Sequence, residues 1–94
     1  MIKIQKRGDF TLMLDELLAE DEYLEEIINE RIKWFQSNPH DTRLDKHPLH
    51  RKLEGKWAFS ITDDIRIIYE WLGKTTVRFL GIGGHGKVYK RKST

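Results

Sequence analysis

The chain has 94 residues, of which 38% are hydrophobic and 34% charged, with four histidines, no cysteine and a net charge of +2. That length makes one domain, residues 1–94, near the lower end of what can bury its own core. The composition excludes wholesale disorder, a disulfide framework and a thiolate metal site. No apolar run approaches the roughly 20 residues of a membrane span.

The opening MIKIQKRGDF lacks the apolar core of a signal peptide, so a cytoplasmic protein with no membrane association is expected. The small net charge hides an asymmetry. Residues 1–40 carry five Lys/Arg against nine Asp/Glu, and residues 41–94 carry twelve against six. The first part reads as an acidic, solvent-facing cover. The second reads as a surface able to meet a polyanion.

In chain order, Met1 to Lys6 alternates in the manner of a short strand, and Gly8-Asp9 breaks it. Asp9 is a candidate cap for a helix starting near Phe10, in which Phe10, Met13, Leu14, Leu17 and Leu18 recur at helical spacing. Asp21 is a candidate cap for a second helix. There Leu24, Ile28, Ile32 and Phe35 form one stripe, ended by Asn38-Pro39. The two helices make a hairpin whose apolar stripes need a sheet. Residues 40–55 show no period and gather His40, His47 and His50 with several cations. From Trp57 to Trp71 the pattern is period 2. Trp57, Phe59 and Ile61 share a face, the Asp63-Asp64 pair marks a turn, and Ile65, Ile67, Tyr69 and Trp71 share a face in the second arm. A further hairpin strand is expected over 77–82 after the Leu72–Thr75 turn, with a possible short strand at Val88-Tyr89. The coarse order is β-α-α-loop-β-β-β, an α+β fold.

Arg66 lies on the face of its strand shared with Ile68 and Glu70. An arginine cannot lose its charge, so on a central strand it needs a partner, a groove or a ligand. An ion pair with Glu70 or a neighbouring Asp is one reading. The other joins Arg66 with His47, His50, Asp63 or Asp64, His85 and Tyr89. Singly these have plainer roles, His85 as a turn residue among glycines and Tyr89 in packing. Together they supply what RNA transesterification requires: a base for the 2′-OH, a fixed cation for the phosphorane and an acid for the leaving 5′-oxygen. An aromatic can stack a displaced base. His47 and His50 lack the further ligands of a metal site, and Gly81-Ile82-Gly83-Gly84 lacks the Lys-Ser/Thr of a P-loop, so neither metal nor cofactor is expected.

The segments LDKHPLHRKLEGKWAFSITDDIRIIYEW and VRFLGIGGHGKVY resemble the RelE/ParE superfamily of bacterial type II toxins, and within it the YafQ-like mRNA interferases. The resemblance covers Leu44 to Tyr89. It implies a helical hairpin packed on a strongly twisted, mainly antiparallel sheet. It also implies cleavage of mRNA in the ribosomal A site and a cognate antitoxin partner. By position, His47 and Asp64 match active-site residues of YafQ-like enzymes, and His85 and Tyr89 match the C-terminal histidine and aromatic. Arg66 matches the arginine that contacts the scissile phosphate. The implied site is thus His47, Asp64, Arg66, His85 and Tyr89, with His50, Lys52, Lys56, Lys87 and Lys90 along the RNA backbone. Such enzymes carry another histidine on the strand before the aspartate, where this chain has Ser60, Ile61 and Thr62. The base therefore stays open between His47, His50 and Asp64. Glu54 lies nearby without a match. A ParE-like gyrase inhibitor or a catalytically silent binder are the alternatives.

Overall fold

A computed structural model describes residues 1–84 of the chain. The expected segment at Val88-Tyr89 and the site residues His85, Lys87, Tyr89 and Lys90 lie outside the described residues. The elements run β1 (Lys3–Lys6), α1 (Gly8–Glu20), α2 (Leu24–Ser37), β2 (His47–Pro48), β3 (Trp57–Ser60), β4 (Ile65–Trp71) and β5 (Thr76–Gly84), with short 3-10 turns at Thr42–Leu44 and Arg51–Leu53. The α+β expectation holds. The sheet order is β1-β5-β4-β3-β2, antiparallel throughout except for β1, which runs parallel to β5.

Local chemistry differs from the sequence reading at the helix starts. Helix α1 begins at Gly8 with Arg7 at its cap position and no side-chain cap. Asp9 sits inside the first turn instead, where a carboxylate complements the helix N-terminus, and pairs with Arg7 at 3.1 Å. Asp21 does receive the Tyr23 amide at 3.1 Å just ahead of α2. The loop read as aperiodic contains β2, too short to show a period.

The core forms where the two helices meet the sheet. Phe35 of α2 is fully buried. Its ring stacks on Phe59 at 4.6 Å and meets Tyr69 and Phe79 edge-on at 4.9 and 5.9 Å. Phe10 of α1 reaches the same Phe79 at 5.2 Å. These aromatics come from α1, α2, β3, β4 and β5, so one cluster ties helices to sheet. Leu14, Leu17 and Ile32 join it only partly buried. A bulge between Ile68 and Tyr69 shifts the β4–β5 register.

Phe35→Ala should cost about 3–5 kcal/mol, because three rings close around that position. Leu17→Ala should cost clearly less, being half-buried. Urea unfolding followed by circular dichroism measures both, and equal losses would contradict this packing. Burial also pushes the Tyr69 phenol up from 10.0 to about 12. Above pH 10 the unfolded chain releases this proton and the folded chain keeps it, so stability should fall as pH rises from 10 toward 12. Urea midpoints at pH 9 and 11, compared with Tyr69→Phe, read this directly.

Candidate active site

The hairpin β3–β4 turns about Asp63, so residues equidistant from it face each other across the two strands. Ser60 and Arg66 are such a pair. The Arg66 guanidinium donates from Nη1 to Ser60 Oγ at 2.6 Å. Its side chain is only 18% exposed, and its Nε is buried without a partner. The permanent charge is therefore fixed in place while part of its donor capacity is unspent. Neither ion pair considered from sequence forms closely. Glu70 is taken by Lys56 at 3.5 Å and Arg78 at 3.4 Å. The nearest carboxylate to Arg66 is Asp45 Oδ2, at 4.0 Å.

Asp45 arrives from the loop after α2. Asp41 receives the Arg43 amide at 2.9 Å and starts the 3-10 turn, while fully buried Leu44 anchors it. Asp45 then adopts left-handed backbone, φ 49° and ψ 49°, which Asp tolerates better than most side chains. This reversal carries the chain into β2, where His47 pairs with Ala58. The His47 ring nitrogen Nδ1 lies 3.2 Å from the Asp45 carbonyl. A carbonyl only accepts, so Nδ1 carries a proton here, and the tautomer this contact favours has its lone pair at Nε2. Asp45 thus links His47, through its carbonyl, to Arg66, through its carboxylate.

Of the other expected site residues, Asp64, His50, Lys52 and Lys56 are described. Asp64 is exposed in the hairpin turn. Its Oδ2 approaches Gly84 so closely that a methyl there would lie 2.9 Å away. Gly84 immediately precedes His85 in the chain, so Asp64 lies against the segment that leads to it. His50 and Lys52 are exposed in and beside the Arg51–Leu53 turn, away from the Arg66 contacts. Lys56 is half-buried and held by Glu70.

A cavity of about 590 Å³ opens beside Arg66. Its walls are Ile27, Arg31 and Trp34 of α2, Arg43 and Asp45 of the loop, and residues 60–63 with Arg66. Sequence reasoning missed Ser60, Asp45 and the α2 wall. Ser60 was legible, since counting back from the Asp63 turn places it opposite Arg66. Asp45 was not, because its role depends on a backbone reversal with no period.

No family model matches the sequence, and no curated protein matches it by sequence. Solved structures match by fold. A copper-bound mutant toxin from Helicobacter pylori superposes with a TM-score of 0.77 at 22% identity, covering 94% of this chain and 99% of that one. A YoeB/ParE toxin from Agrobacterium tumefaciens gives 0.74 at 20%, covering 89% and 99%. YafQ from E. coli gives 0.77 at 19%, covering 95% and 99%, and its complex with DinJ gives 0.70 at 20% with the same coverage. The chain thus shares its fold with these toxin structures.

Ser60→Ala should remove the 2.6 Å bond on the Arg66 guanidinium and cost about 1–3 kcal/mol. Asp45→Gly and Asp45→Asn should be tolerated, both residues accepting left-handed backbone, whereas Asp45→Val should destabilise more than either. Thermal unfolding of the four variants checks the ranking.

Proposed function

We propose that the chain is a type II toxin that cleaves mRNA on the ribosome, in the cytoplasm, and is neutralised by a cognate antitoxin. The observation that carries this is the Arg66 guanidinium, pinned by Ser60 with Nε unspent, linked through Asp45 to the His47 imidazole, whose Nδ1 is engaged by the Asp45 carbonyl. The likeness to YafQ and YoeB/ParE toxins supports the class, and the DinJ complex of YafQ supports a protein partner.

In the proposed reaction a base takes the 2′-OH proton and the 2′-oxygen attacks phosphorus. The 5′-oxygen then leaves, protonated by an acid. The products are a 2′,3′-cyclic phosphate and a 5′-hydroxyl. Arg66 stabilises the charge that builds on the phosphorane, a planar fork matched to phosphate oxygens. His47 Nε2 serves as base, with Asp64 as orienter or rival base. His85 is the acid, near neutral pH a suitable donor. Tyr89 stacks a nucleotide. His50, Lys52, Lys56, Lys87 and Lys90 follow the RNA backbone. The antitoxin covers Arg66 or His85 and so closes the site.

Arg66→Ala should lower single-turnover cleavage on programmed ribosomes by about 10²–10³-fold, and His85→Ala by about 10²–10⁴-fold. Lys87→Ala should weaken binding modestly and flatten its salt dependence. Folded Arg66→Ala and His85→Ala variants that cut at the parental rate would refute the assignment. DNA breaks with intact mRNA in expressing cells would point to a gyrase poison instead.

A further inference from the structure

The α2 wall of the cavity is no part of the catalytic set, yet it is built with care. The guanidinium carbon of Arg43 lies 3.7 Å from the Trp34 ring centroid, and that of Arg31 lies 4.0 Å from the same centroid. Each arginine is also held by a carboxylate. Asp41 accepts from Arg43 Nε and Nη2, the shorter bond 2.7 Å, and Glu30 pairs with Arg31 Nη1. Exposed arginines usually keep their rotamer freedom and lose it only on binding. Here two planes are set before any ligand arrives. Arg43 remains 59% exposed, with N–H groups not used by Asp41. Both arginines line the same cavity as Arg66.

We propose that this cavity is a subsite for one nucleotide of a single-stranded RNA, its base stacked on the Arg–Trp platform and its flanking phosphate held by Arg66. The inference rests on reading Arg66 as a phosphate ligand. A guanidinium seated on an indole presents its second plane outward, and RNA bases stack on such planes. The cavity volume accommodates a nucleotide. Asp45, Ser60, Thr62 and Asp63, which also line it, offer hydrogen-bond partners for the base edge or ribose. Replacing His47 would leave this subsite intact, because it is not among the described residues that line it.

The decisive variant is Arg43→Lys, which keeps the charge and loses the plane. The probe is a 2′-O-methyl RNA tetranucleotide, which cannot be cleaved, with an otherwise identical strand abasic at each position in turn. Binding is read by NMR titration of the full chain. The tetranucleotide should bind Arg43→Lys and Arg43→Ala about 5- to 100-fold more weakly than the parent, the scale of one stacked base. One abasic strand should bind parent and Arg43→Lys alike. Parental affinity in Arg43→Lys, or an equal loss with every abasic strand, overturns the platform. So does a parent that binds no RNA, and an accompanying loss of antitoxin affinity in Arg43→Ala would then give the cavity to the antitoxin. Cleavage on ribosomes is scored separately. A parent that binds and discriminates without cutting keeps the subsite and sinks the nuclease. A parent that cuts with Arg43→Lys unchanged does the reverse.

Discussion

A guanidinium keeps its charge at any pH a protein survives, and here one sits on the middle strand of a five-stranded sheet. Much of the arrangement around it answers that constraint. Ser60 takes one N–H from the opposite strand, which requires the β3–β4 register to be fixed. A slip of one residue would turn Arg66 into the aromatic cluster. The register is pinned from the helix side by Phe59, Ile67 and Tyr69, which pack where α2 brings Phe35. Core packing and site geometry are therefore one problem. The rings hold the strand that holds the charge.

What remains after Ser60 is satisfied is unspent donor capacity on the guanidinium. Protein interiors seldom leave a buried donor without a partner, and Arg66 Nε is such a donor. Asp45 stands at 4.0 Å with a side chain 77% exposed, too distant and too wet to neutralise the guanidinium fully. The site is thus held short of satisfaction, a state suited to receiving an anion.

The sheet was legible from sequence because its strands alternate strictly. Trp57, Phe59 and Ile61 followed by Ile65, Ile67 and Tyr69 leave little choice of face. The helices were legible for the same reason at period 3.6, though Gly8 and Arg7 show that their starts are decided by local backbone rather than by the nearest Asp. The loop 38–56 was opaque. Its structure is a chain of single events, the Asp41 turn, the buried Leu44 and the reversal at Asp45, none repeated often enough to make a pattern. That loop supplies Asp45 and His47 and seats Arg43 on Trp34. Arg66 on its regular strand could be read and His47 was matched by resemblance, whereas Asp45 and the seat of Arg43 on Trp34 needed coordinates.

The parallel pairing of Lys3–Lys6 with Thr76–Phe79 joins the two ends of the described chain. Contacts so distant in sequence form slowly, since most of the chain must be enclosed in the loop they close. Of the described strands β5 is synthesised last, so β4 stays an edge strand until then. The Arg66 strand has β3 beside it early and gains its second neighbour only when β5 pairs. The surroundings of Arg66 are therefore assembled by the element that closes the longest loop of the described chain, and not by the β3–β4 hairpin alone.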